Sequence, residues 1–233
     1  MEPIKIDRKE LIIAIDGPSG VGKSTVSKRV AERLGLAYVD TGAMYRAVAL
    51  AAARTKTDIE NDSALQEFCD TMTVEYRDGS ISVNGTDYTD SIRTEEASSL
   101  ASVTSSKEPV RRALVKYQRT LAVQGAVVME GRDIGTVVLP RIHHKFFLTA
   151  SHEVRAERRS AEHDSKDGAQ TAVNSKEVSD NMRERDRLDS TRAESPLARA
   201  ADALEIDTGE LDVEGVVGLI LGSIEQKIEK SSI

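Results

Sequence analysis

Leu11-Ile12-Ile13-Ala14-Ile15 is an unbroken apolar run closed by Asp16-Gly17-Pro18, which is how a strand buried on both faces reads. From Gly22 to Leu34 the period becomes helical, with Val26, Val30 and Leu34 four residues apart, and Gly35 ends the element. Ala37-Tyr38-Val39 predicts a second strand, stopping at Asp40-Thr41-Gly42, and an alanine-rich helix follows to about Arg54. The next fifty residues change character. Thr73–Tyr76, Ile81–Val83 and Thr86–Tyr88 read as short strands separated by Asp78-Gly79 and Asn84-Gly85, two strong hairpin dipeptides. They predict a small antiparallel meander set into an α/β chain.

A helix over about Glu108–Gln124 leads back to buried strands at Ala126–Met129 and Lys145–Thr149. Charged helices are expected from Ser151 and over Ser175–Asp189, joined by a mobile loop at Ser165–Asn174. Ala203–Ile206 is a fifth strand, and Asp212–Lys230 closes the chain as an amphipathic helix. Five strands alternating with helices imply a doubly wound parallel sheet. The expected division is one domain, with a core over about 8–55 and 106–233, an insertion over about 56–105 and a short lid over about 160–175.

Composition narrows the partners. The 233 residues carry 32 Lys+Arg against 39 Asp+Glu, a formal charge of −7, and aromatic residues make up 3% with no Trp. An acidic, aromatic-poor chain argues against a general nucleic-acid binder or a base-stacking platform. No stretch approaches the roughly 18 apolar residues of a membrane span, and Met1–Glu10 lacks the apolar centre of a signal peptide. The lone Cys69 has no internal disulfide partner and no cationic neighbour in sequence, so it reads as core filler in a cytoplasmic protein.

Chemistry enters at Gly17-Pro18-Ser19-Gly20-Val21-Gly22-Lys23-Ser24, which fits G-x-x-x-x-G-K-[ST] between a buried strand and a helix. Glycines let backbone N–H groups curl around a phosphate, Lys23 can reach the β/γ oxygens, and the Ser24 hydroxyl can ligate magnesium. An Asn-Lys-x-Asp guanine motif is absent, and the strand at Met129-Glu130-Gly131 does not end in the Asp-Glu of a motor ATPase. A kinase acting on a small acceptor is the reading that remains.

Moving a phosphoryl group between two anions requires positive charge on both sides. Arg46, Arg111 and Arg132 lie where a cleft between strand ends is expected, and Arg185, Asp189 and Arg192 are spaced to share a helix face. Each has a plainer alternative as a solvated ion pair worth a few tenths of a kcal/mol. Arg155, Arg158 and Arg159 after the fourth strand carry the same ambiguity.

Together with the phosphate loop, Asp40-Thr41-Gly42-Ala43-Met44-Tyr45-Arg46, Gly131-Arg132-Asp133-Ile134-Gly135 and the Arg185–Arg192 run closely resemble bacterial cytidylate kinases, in the same order from Leu11 onward. The resemblance implies a nucleoside-monophosphate kinase fold that converts CMP or dCMP to the diphosphate with ATP and Mg2+, as a cytoplasmic monomer. It implies Lys23, Arg132 and Arg185 as the catalytic groups and Gly17 to Thr25 with Arg158 on the ATP side. Thr41, Tyr45, Arg46, Ser102, Arg111, Arg132, Asp133, Arg185, Asp189 and Arg192 would hold the acceptor. In this pattern Thr41 replaces a more usual Ser and Glu130 replaces an Asp. The rivals are another acceptor (UMP, AMP or shikimate), a nucleotide sensor without turnover, and an RNA-associated ATPase.

Overall fold

The computed structural model describes residues 11–77, 79–167 and 175–231. Five parallel strands form the main sheet: β1 (Ile12–Asp16), β2 (Ala37–Asp40), β6 (Val127–Gly131), β7 (His144–Thr149) and β8 (Leu204–Asp207), in the order β2-β6-β1-β7-β8. β3 (Val74–Arg77), β4 (Ser80–Val83) and β5 (Thr86–Asp87) make a separate antiparallel sheet. Both sheets agree with the sequence reading. In β1 the apolar run divides by alternation: Ala14 faces the core containing α2 (Thr41–Arg54) and α5 (Glu108–Val123). Ile13 and Ile15 face the core containing α1 (Lys23–Leu34) and α8 (Val213–Ser231). Burial on both faces explains why β1 carries no polar alternation.

Val26, Val30 and Leu34 of α1 are buried, and each contributes about 1.5–3 kcal/mol by leaving water. Gly35 ends α1 with a left-handed φ of 65°. Asn84 and Gly85, both at positive φ, make the turn that joins β4 to β5.

Three features depart from the sequence reading. The region between α2 and α5 holds two helices that the pattern did not predict, α3 (Asp62–Thr71) and α4 (Glu95–Thr104). Asn61 caps α3 by accepting from Ser63 and Ala64 N–H, and Thr94 caps α4 by accepting from Ala97 N–H. Next, α6 (His152–Asp167) continues through Ser165–Asp167, where a loop was expected; the remainder of that expected loop, 168–174, lies outside the described residues. Finally, α7 (Ser175–Thr191) ends one residue before Arg192.

Leu65 and Phe68 of α3, Ile81 and Val83 of β4, and Val110 and Leu114 of α5 join Met44 and Val48 in one buried cluster. The small sheet is thus continuous in its packing with the main one. Cys69 is buried with it, its thiol pushed up to about 11 chiefly by burial, which makes it a poor nucleophile.

Candidate active site

The carboxyl ends of β1, β2 and β6 open into a cleft of about 460 Å3. On one wall, residues 17–25 connect β1 to α1. A side chain at Gly17 would strike the Leu148 carbonyl oxygen at 2.3 Å, and one at Gly20 would meet Arg155 and Met182 at 3.0–3.1 Å. Glycine at these two points lets the loop lie flat against β7 and the start of α6. Gly22 precedes α1 without a side-chain cap, leaving the first N–H groups of the helix directed at the cleft.

Lys23 is buried and donates to the Pro18 carbonyl at 2.6 Å. Burial first, and then the neighbouring Arg132 charge, pull its amine down to about 7. Ser24 and Thr25 line the cleft, whereas Val21 turns its side chain into the core.

Asp16, immediately before the loop, joins two of the cleft's loops, a contact that the sequence reading passed over when it took this residue as a strand boundary. It is buried and accepts from Ile134 N–H at 2.9 Å and Gly135 N–H at 2.7 Å. These are the first residues of a π-helical turn, Ile134–Val138, just after Arg132 and Asp133. Asp16 therefore ties the phosphate loop to the arginine-bearing loop beyond β6. Burial raises its carboxyl to about 6 against the pull of the two N–H groups. An acid closing a buried strand directly before a phosphate loop was the available signal.

On the opposite wall, cations and carboxylates alternate. Arg46 meets Asp40 at 3.0 Å, and Asp40 also caps α2. Arg111 and Asp133 form a buried pair, Arg111 also donates to the Ser105 carbonyl at 3.2 Å, and its guanidinium lies 5.5 Å from the centre of the Tyr45 ring. Removing one partner from such a buried pair costs about 3–5 kcal/mol. Arg132 pairs with Asp189 at 2.8 Å, and Arg192 reaches Asp189 at 3.6 Å and Asp133 at 3.9 Å. Thr41 donates to the Glu130 carbonyl at 2.7 Å, pinning the start of α2 to β6.

α7 divides its arginines by periodicity. Arg185 and Asp189 line the cleft with Arg192 just past the helix end, while Arg183 and Arg187 form exposed pairs with Asp180 and Glu184. Arg183 and Arg187 therefore take the solvated face of the helix, while Arg185 and Asp189 face the cleft. Arg155 is buried against the phosphate loop, donating to the Ser19 carbonyl at 3.1 Å and to Asp186 at 2.5 Å.

Tyr45, Arg46, Ser102, Arg111, Arg132, Asp133 and Arg185 all line this one cleft with Thr41, Asp189 and Arg192. Arg158 does not. It donates to the Thr208 hydroxyl at 2.9 Å and the Thr208 carbonyl at 2.6 Å, behind the phosphate loop. Its neighbour Arg159 lines the cleft instead, because one helical residue turns the side chain by about 100°. Ser98, Ser105 and Arg93 are cleft residues that the sequence reading did not single out.

Glu130 is buried at the back of the phosphate loop, with the Tyr38 hydroxyl donating to it and Ser24 beside it. Burial raises its carboxyl. Among the described residues no group of three or more His, Cys, Asp or Glu could hold a metal ion. The Ser24 hydroxyl and Glu130 carboxylate nevertheless form a hard-oxygen pair suited to a magnesium ion that takes its other ligands from phosphate and water.

A solved structure of an uncharacterized protein from Eubacterium ventriosum ATCC 27560 shares the fold, with a TM-score of 0.53 and 15% identity over 94% of this chain and 99% of that one. The sequence relatives are far nearer. The cytidylate kinase of Bacillus subtilis (strain 168) is 46% identical over 223 residues, covering 94% of this chain and 98% of the relative. That of Bacillus thuringiensis (strain Al Hakam) is 44% identical over 220 residues, covering 93% and 96%. The family model described as cytidylate kinase matches residues 13–226, a span that contains the phosphate loop and every cleft-lining arginine, and the chain belongs to the cytidylate kinase family.

Proposed function

We propose that this protein transfers the γ-phosphoryl group of ATP to CMP and dCMP, releasing ADP and the corresponding diphosphate. The observation that carries the reading is the charge of the cleft: eight Lys and Arg side chains line it against four carboxylates, in a chain whose net charge is −7. Such local inversion of charge suits two phosphorylated ligands held face to face.

In this reading the phosphate loop cradles the triphosphate through backbone N–H groups and Lys23. Arg132 and Arg185 lie between the two ligands, where they neutralise the equatorial oxygens as the phosphoryl group passes. Arg46 and Arg111 hold the phosphate of CMP, with Asp133 fixing the direction of Arg111. Ser24, with Glu130 beside it, would hold a magnesium ion, which would supply charge withdrawal on the donor's phosphates. No side-chain nucleophile is needed, because the acceptor phosphate oxygen attacks in line once both ligands are aligned. Residues of about 56–105 serve as the acceptor-binding insertion and about 160–175 as a lid that excludes water.

Asp189 and Arg192 read the base. Cytosine presents an exocyclic amine donor beside ring and carbonyl acceptors. Asp189 accepts from the amine and Arg192 donates to the acceptors. Uracil presents a carbonyl in place of the amine, directly against the Asp189 carboxylate, which repels it.

The test is ADP formation from Mg·ATP with CMP, dCMP, UMP, AMP, GMP and shikimate offered separately. Rapid turnover with CMP and dCMP, weak turnover with UMP and none with the others is expected. ADP formation with none of the six would refute the reading.

A further inference from the structure

Glu95 stands in the first turn of α4, within the insertion but not among the side chains assigned above to either ligand. Its carboxylate crosses to the helices on the other side of the cleft. It pairs with Arg185 of α7 and stands 3.7 Å from Arg159 of α6. The two arginines are largely covered, at 15% and 22% side-chain exposure, while Glu95 is 45% exposed. Arg185 lies in the cation field of Arg159, Arg132 and Arg46, which together with burial lower its pKa, and Glu95 opposes that shift. Without a nearby anion this group of guanidiniums would repel itself. Glu95 supplies an anion from within the chain.

A carboxylate and a phosphate oxygen compete for the same guanidinium N–H donors. Both arginines line the cleft, so an arriving phosphate-bearing ligand meets them already engaged. We infer that Glu95 is an internal counter-ion that occupies Arg185 and Arg159 until phosphate displaces it, and that it weakens anion binding in the cleft. The exchange also removes the ion pairs by which Glu95 bridges α4 to α6 and α7. When product phosphates leave, Glu95 re-forms the pairs and keeps the arginines from retaining them. This inference rests on the proposed kinase function for its purpose, though not for its test.

The test uses inorganic tripolyphosphate, which has no base and needs no catalysis, titrated calorimetrically into the full chain at fixed ionic strength. Glu95→Gln removes the charge. Glu95→Asp keeps an acid in the first turn of α4, preserving its favourable place at the helix start, but withdraws the carboxylate from the arginines. Both variants are expected to bind tripolyphosphate roughly threefold to tenfold more tightly than the wild type, the scale of losing a half-exposed carboxylate shared by two guanidiniums. Unchanged or weaker binding in Glu95→Gln overturns the inference and leaves Glu95 as a brace for α4. Tightening in Glu95→Gln with wild-type affinity in Glu95→Asp traces the effect to net charge alone, and equally overturns it. CMP phosphorylation by the wild type is measured alongside. Its absence counts against the proposed function, while the tripolyphosphate titration still decides the counter-ion.

Discussion

The two walls of the cleft are built in opposite ways. The phosphate-loop wall comes from one contiguous stretch, residues 17–25, of which Ser19, Gly20 and Gly22 to Thr25 line the cleft, and in the proposed reaction it works through backbone N–H groups and the buried Lys23. The facing wall gathers side chains from α2, α4, α5, the loop after β6 and α7, and holds them by mutual ion pairs. The backbone part of the first wall needs little rearrangement, since peptide dipoles on rigid elements are already oriented, and only Lys23 must leave the Pro18 carbonyl. The second is built from ion pairs, Arg132 with Asp189 and Arg185 with Glu95, so in the proposed reaction it exchanges partners as the acceptor binds. A cleft can thus combine a fixed cradle for a common donor with a reconfigurable lattice that reads a particular acceptor.

Removing the lysine of the cradle should have the largest effect. Lys23→Ala is expected to lower kcat by more than ~100-fold, on the scale of removing one preorganised transition-state donor. Steady-state ADP production under saturating CMP checks it, and a variant retaining most of its kcat would show that the backbone alone suffices on that wall.

A smaller and more selective effect belongs to the lattice. Asp189→Ala should reduce the CMP:UMP ratio of kcat/KM by about tenfold or more, since a mispaired buried polar contact is worth about 1–3 kcal/mol. The ratio is the informative quantity, because releasing Arg132 and Arg192 affects both acceptors alike. An unchanged ratio would remove Asp189 from base recognition.

The smallest effect is a pH dependence confined to the cradle. With its amine pulled down to about 7, Lys23 is charged below that pH and mostly neutral above it. Phosphate favours the charged form, so above pH 7 binding must draw a proton from solution. ATP affinity should therefore weaken by up to about tenfold per pH unit between 7 and 8. Calorimetry in buffers of different ionisation enthalpy should show proton uptake at pH 8 in the wild type. Lys23→Arg, charged throughout, should lack it. Equal uptake in the two proteins would place the titration on another group.

The same contrast separates what could be read along the chain from what could not. The phosphate loop is contiguous, and its glycines, lysine and flanking strand are local features. The five core strands were legible as well, because burial on both faces leaves unbroken apolar runs such as Ile12–Ile15 and Val127–Met129. α4 was not legible. Its sequence, Glu95–Thr104, is dominated by Ser, Ala and Glu with one Leu and one Val, so no apolar stripe marks it, and only the Thr94 cap announces it. α3 was hidden beside the stronger hairpin signals. Arg158 and Arg159 are indistinguishable in sequence, and only the rotation of α6 about its axis sends one to Thr208 and the other to the cleft.

By itself the sequence determined the alternation of strands and helices, the nucleotide-binding loop and the family motifs, because each is encoded over a few adjacent residues by periodicity or by backbone geometry that only glycine allows. Tertiary structure alone decided which charges meet: Asp16 with the N–H groups of Ile134 and Gly135, Arg111 with Asp133, Arg132 with Asp189 and Glu95 with Arg185. These partners lie 22 to 119 residues apart. Coulombic and hydrogen-bonding energies depend on separation in space and on exclusion of water, and neither has a local imprint on the chain.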